Sequence, residues 1–283
     1  MKFIPTLLRQ RLPLLAWLVI ATFSGGCGVA VSQRPIGVMG QAYLQKPNTP
    51  TYRDLTNLPE PTGKILAAVY NFRDMTGQYK SSPSSNISTQ VTQGAASILI
   101  HALKESRWFD VVEREGLQDL LTERKVNRAT KKNEVKSTQS PLPTLLPANV
   151  LFEGGIIGYD TNVQTGGIGA KYLGIGGSET YRVDQVTVIL RVVDVRNGRI
   201  LETVETSKTI LSERLDGNIF KFVAFKKLLE AETGYSYNEP SQMAAQEAIQ
   251  AAVVHLIARG ILHGLWSLEN PDDINSPALD EYL

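Results

Sequence analysis

The stretch at positions 158–186 constrains this chain most, because it carries a hairpin pattern that a soluble core does not readily explain. From its start, Tyr159, Thr161, Val163 and Thr165 alternate with Asp160, Asn162 and Gln164. That period of two specifies a strand. A glycine-rich run follows at Gly166, Gly167, Gly169, Gly174, Gly176 and Gly177, after which Tyr181 and Val183 alternate with Arg182 and Asp184 on the way back. The alternation predicts one β-hairpin, apolar on one face and polar on the other. A strand tilted across a bilayer needs about 9–11 residues, and positions 158–168 have that length. An amphipathic hairpin covering a soluble sheet would alternate in the same way, so the pattern alone leaves both readings open.

A second candidate hairpin occupies positions 206–237. Leu211 and Leu215 alternate with Ser212 and Arg214, positions 216–218 can turn, and Phe220, Phe222, Tyr235 and Tyr237 supply aromatics suited to membrane interfaces. Phe222, Phe225, Leu228 and Leu229 also fit helical spacing, so a surface helix packed on the body is the other reading of this stretch.

Around the hairpins the chain reads as strand, helix, strand, helix and then strands. The apolar run 65–70 predicts a strand buried on both faces. A loop at 71–88 follows it, then a helix capped at Ser88 that carries Val91, Ala95, Ile98, Leu99, Ala102 and Leu103. A short strand at 109–112 precedes an amphipathic helix from Glu115, with Leu117, Leu120 and Leu121 inward and Arg124, Lys125 and Arg128 outward. Such a basic run is read as a solvated helix face rather than a nucleic-acid site. Three prolines then break the chain before a strand at 150–157. Strands at 188–193 and 200–206 are joined by a two-residue turn at Asn197 and Gly198. A helix at 244–262 packs through Ala248, Ala251, Ala252, Leu256 and Ile257, and the charged remainder is expected to fray.

With 283 residues, 42% hydrophobic, the chain can build one or two real cores, and a formal net charge of +1 calls for no nucleic acid. Lys2, Arg9 and Arg11 precede an apolar run at 14–23, and Ser24, Gly25 and Gly26 lead into the single cysteine, Cys27. This is an export signal. One cysteine permits neither an intrachain disulfide nor a cysteine zinc cluster. The junction resembles the lipobox of bacterial lipoproteins, in which the cysteine is acylated and becomes the mature amino terminus. Ser24 stands where that pattern usually has leucine. Positions 29–61, rich in Pro, Gln, Asn and Thr, read as an extended arm.

No catalytic constellation is present. His101, His255 and His263 form no H-x-x-x-H or HExxH pattern, Asp184 and Glu179 are isolated, and the glycine-rich run opens no helix. Neither an enzyme activity, a bound metal nor a cofactor is expected.

Several long strings carry a resemblance: YRDLTNLPEPTGKI from Tyr52, VYNFRDMTGQYKSSPSSNIS from Val69, EGGIIGYDTNVQTGGIGAKYLGIGG from Glu153 and LRVVDVRNGRILETVETSKTILS from Leu190. ALKESRWF from Ala102 and GYSYNEP from Gly234 add to it. Together they are similar to the curli secretion-channel lipoprotein family, CsgG, over nearly the whole mature chain. The resemblance implies an α+β fold, a periplasmic mixed α/β domain with two transmembrane β-hairpins per subunit contributed to a shared barrel. It implies a homo-oligomer of nine subunits in the outer membrane, secreting unfolded curli-type fibre subunits, with periplasmic and surface accessory proteins as further partners. Family members line the channel's narrowest point with residues spaced Y-x-x-x-N-F, and those places fall on Ser82, Asn86 and Ile87. Only the asparagine is retained.

On this reading the chain divides into a signal peptide (1–26), a lipidated arm (27–62), the first part of the periplasmic domain (63–157, constriction loop 71–88) and a first hairpin (158–186). Domain strands (187–205), a second hairpin (206–237), a helix (238–270) and a tail (271–283) complete it. The alternative is a lipid-anchored periplasmic assembly or binding protein that spans nothing.

Overall fold

The computed structural model describes residues 47, 49–78, 91–133, 142–165, 180–216, 219–223 and 240–283. The chain divides after Lys46, and the unit described is Pro47–Leu283. Its helices are α1 (Pro50–Thr56), α2 (Ala95–Glu105), α3 (Leu117–Asn133), α4 (Pro240–Leu262) and α5 (Pro277–Asp280).

The apolar run at 65–70 opens β1 (Ile65–Asp74), whose Ala67, Ala68 and Val69 are buried. It lies between two parallel partners, β2 (Phe109–Val112) and β3 (Val150–Thr165), as a strand covered on both faces does. From β3 onward the sheet is antiparallel through β4 (Thr180–Asp194), β5 (Ile200–Asp216) and β6 (Ile219–Val223). The order is β2-β1-β3-β4-β5-β6. Gly154 and Gly155 make the crowded middle of β3 possible, since a Cβ on either would sit 2.1 Å and 2.2 Å from the backbone oxygens of Ile189 and Arg73.

Helices α2 and α4 cover one face of the sheet, and α1 packs on α4. In α4, Ala244, Ala245, Ala248, Ile249, Ala252, Val253, Leu256 and Ile257 are all buried, so the helix is enclosed on more than one side. Its alanines let neighbours come close. At Gly260 the approach is tightest: a Cβ there would lie 2.0 Å from the Trp266 ring, whose Nε1 donates to the Ile257 carbonyl at 2.9 Å.

Several expectations are corrected. The arm is not extended throughout: Thr49 caps α1 by accepting from the Tyr52 N–H at 3.2 Å, Pro50 starts the helix, and Tyr52 and Leu55 are buried. A Thr-Pro pair before an apolar residue is a helix start, and its shortness hid the period. Nor is the tail frayed, because Leu279 of α5 is buried and the Tyr282 hydroxyl donates to Asp54 at 2.9 Å. Helix α2 begins at Ala95 after a Gly94 cap, not at Ser88. In α3 the leucines do not reach the core; Leu121 is 37% and Val126 52% exposed. The turn between β4 and β5 spans 195–199, because the Asp194 carboxylate takes the Arg196 N–H and guanidinium and closes a larger loop.

Candidate functional site

The strands outrun the helices that cover them. β5 has 17 residues, about 55 Å of strand at the usual rise. The 23 residues of α4 span about 34 Å. The two run antiparallel: the α4 C-terminal end brings Arg259 and His263 to the buried carboxylate of Glu202, at 3.2 and 2.6 Å. Towards its N-terminal end, Thr206 Oγ1 donates to the Ala248 carbonyl at 2.8 Å and Lys208 Nζ meets Glu247 Oε1 at 2.5 Å. Ile210 is buried just beyond, yet β5 continues to Asp216. Sheet therefore projects past the helix layer.

Four strands make this extension. β1 stops at Asp74, opposite Ile156, while β3 continues to Thr165 paired with β4 as far as Thr180. Among the described residues β6 pairs with β5 alone. Among the described residues, the extension is a ribbon in the order β3-β4-β5-β6, and no strand lies along the outer edge of β3 from Asp160 or along that of β6. A bare strand edge is a template for another chain.

The stretch after β1 leaves the body at the foot of this ribbon. The Met75 N–H donates to the Ile156 carbonyl at 2.9 Å. Asp74 Oδ1 accepts from the Thr76 N–H and hydroxyl at 2.9 and 2.7 Å, and Gly77 turns the chain at φ +65°. Gln78 Nε2 then donates to the Tyr159 carbonyl at 2.9 Å. Val91, where described chain resumes, is buried. Ser82, Asn86 and Ile87 fall between these points, outside the described residues, as does Cys27.

All ten hairpin residues singled out in the sequence lie on the extension: Tyr159, Thr161, Val163 and Thr165 in β3, Tyr181 and Val183 in β4, Leu211 and Leu215 in β5, Phe220 and Phe222 in β6. Their register differs from the one-sided pattern expected. Directly opposed positions in an antiparallel pair share a side of the pleat. Tyr181 is paired with Gln164 and Val183 with Asn162, so the two apolar alternations fall on opposite sides. A register shift between Ile156 and Gly158 accounts for the one-residue difference, which reading each strand separately could not detect. Asp184, which looked isolated, is fully buried and accepts the Tyr159 hydroxyl at 2.5 Å.

Residues 48–282, body and extension together, match the family described as curli production assembly/transport component CsgG. The chain belongs to the CsgG family. Among CsgG relatives, the curli production assembly/transport component of Salmonella typhimurium is 49% identical over 238 residues, covering 83% of this chain and 86% of its own. That of Escherichia coli K12 is 48% identical with the same coverage. Solved structures with some similarity include the PelC L103M dodecamer from Paraburkholderia phytofirmans, at 14% identity and TM-score 0.27, covering 69% of this chain and 89% of that one. The hypothetical protein CT253 from Chlamydia trachomatis stands at 12% and 0.31, covering 72% and 96%. At those scores neither bears on fold or function. CsgG relatives are curli production assembly/transport components.

Proposed function

We propose that this chain is one subunit of a ring-shaped outer-membrane channel that passes unfolded curli-type fibre subunits from the periplasm to the cell surface. The observation that carries the reading is the four-stranded extension, whose two outer edges carry no strand among the described residues. In lipid, each backbone group left without a partner costs several kcal/mol, so only a closed barrel is tolerated. β3 and β5 run one way and β4 and β6 the other, so β6 of one subunit meets β3 of the next antiparallel, and the contact repeats head to tail until it closes. With four strands per subunit, a barrel of about 36 strands, the largest size known, holds nine copies.

Cys27 is acylated and anchors the arm, residues 63–157 and 187–205 stand in the periplasm, and the loop 71–88 places Ser82, Asn86 and Ile87 at the narrow point. Sizing in mild detergent with single-channel recording tests the reading. Rings with discrete conductance are expected; a strictly monomeric, non-conducting protein refutes it.

A further inference from the structure

Resting on the channel reading above, we propose that the seam between copies continues below the extension: the body edge of β5 in one subunit runs along the β1 edge of the next, with Glu205 against Arg73. The strands present at each level carry this. In the extension a subunit supplies β3, β4, β5 and β6. Lower down β6 is gone and β1 has entered, so that one rung runs Arg73, Gly155, Ile189, Glu205 across β1, β3, β4 and β5. β2 does not reach that rung, since it pairs with β1 only from Ile65 to Ala68. The sheet is therefore equally wide at both levels, and a ring that sets β6 beside the next β3 above brings β5 beside the next β1 below. Among the described residues, no strand lies on the outer edge of β1 from Val69 to Asp74 or on that of β5 from Ile200 to Ile210.

The two edges suit each other. β1 and β5 both run parallel to β3, so the contact is a parallel pairing. Met75 gives its N–H to Ile156 of β3, which turns the N–H groups of Phe72 and Asp74 to the outer edge. On β5 the Thr203 N–H goes to a side chain, Glu202 Oε1 at 3.0 Å, as a donor with no strand beside it does. Glu205, two residues on, turns its N–H and carbonyl to that same edge, where Phe72 and Asp74 of the next copy flank it. Arg73 and Glu205 are both exposed, while Phe72, Ile156 and Val204 beside them are buried on the helix side. Opposite charges thus stand at one level on the open side of the sheet.

The test is a disulfide across the seam in the lipidated, detergent-extracted protein. Within one chain Arg73 and Glu205 are separated by β3 and β4, about 14 Å of strand spacings, and a disulfide needs Cα atoms within about 7 Å; across the seam a single spacing of about 5 Å permits it. Oxidised Arg73→Cys/Glu205→Cys protein is expected to give a ladder of linked chains in denaturing gels, and co-expressed Arg73→Cys and Glu205→Cys chains are expected to link one to the other. Arg73→Glu should lower ring yield at limiting concentration about twofold to fivefold per seam, the range of an exposed ion pair, and adding Glu205→Arg should restore it. The charge exchange decides the case if the paired cysteines block assembly. Conducting rings of the double-cysteine variant without linked chains, linked chains from Arg73→Cys alone, or no recovery in the charge exchange overturns the body seam alone. A parent protein that forms no ring and does not conduct overturns the channel reading and the body seam with it.

Discussion

Proline placed in β6 separates a closed ring from a ribbon that merely projects. Consecutive N–H groups of a strand point to opposite edges. Of Phe220 and Lys221, paired with Arg214 and Glu213, one therefore aims its donor at β5 and the other at the outer edge. β6 has five residues, so a seam built on it holds few bonds. Losing one in lipid at about 4 kcal/mol weakens each seam about a thousandfold. Closure multiplies the effect, because a ring of about nine copies is broken by any single bad seam. If assembly does not discriminate, equal amounts of parent and Phe220→Pro chains leave only about 0.2% of rings wholly parental, 0.5 taken nine times over. Co-expression at graded ratios, read by detergent-resistant ring yield and by conductance per milligram, should show activity falling far faster than the parental fraction. A fall in simple proportion, or rings of parental heat resistance from both Phe220→Pro and Lys221→Pro, refutes intermolecular closure.

Fatty-acid labelling should be lost in Cys27→Ala, and equal labelling of the two proteins would refute acylation at that residue. Ser82→Tyr with Ile87→Phe should lower single-channel conductance, while Asn86→Ala should change it less and impair secretion; indifference to all three removes the loop from the pore. Gly260→Ala should destabilise the body by about 1–3 kcal/mol in denaturant melts, the usual cost of overpacking, because its Cβ meets the Trp266 ring. Burial, and after it the Arg259 guanidinium, hold the His255 imidazole below its ordinary pKa of 6.5. The unfolded chain then binds that proton more readily, so this contribution to stability is full above pH 6.5 and lost as pH falls through the lower folded value. His255→Phe, which preserves the edge contact to the Tyr282 ring at 4.8 Å, should flatten that part of the acid dependence in melts across the same range.

What the sequence made legible was whatever repeats along one strand or helix. The apolar run at 65–70 and the helical spacing of Leu99, Ala102 and Leu103 each appear as an element with a buried side, and the alternation from Tyr159 appears as a strand. What it hid depends on two segments at once. Gly158 looked like a boundary between a domain strand and a hairpin, yet it sits inside one 16-residue strand, because the change there is in what covers the sheet and not in the backbone. Register was hidden for the same reason, since a bulge is a relation between strands. The hydrogen bond from Gln78 to the Tyr159 carbonyl left no periodic trace; the turn at Thr76 and Gly77 was its nearest signal.

The helix-covered half of this sheet and its uncovered extension make opposite demands, and the link between them bears on the proposed anchor at Cys27. Below Ile210 the chain buries its own apolar face, so that half is satisfied within one subunit in water. The extension is different: water can satisfy its edges and lipid cannot, so in the proposed channel entry into the bilayer and closure of the ring would be coupled steps. Such coupling works best if subunits are already held at the membrane at one height. α1, the first helix after the arm, meets the body at the upper end of α4, where Thr51 Oγ1 donates to Glu247 Oε1 at 3.3 Å and Glu247 pairs with Lys208 of β5. α1 thus packs near the foot of the extension rather than at the far end of the sheet. Acylation at Cys27 would then concentrate subunits in one plane with their bare edges level, which is the arrangement that turns a four-stranded ribbon into a seam.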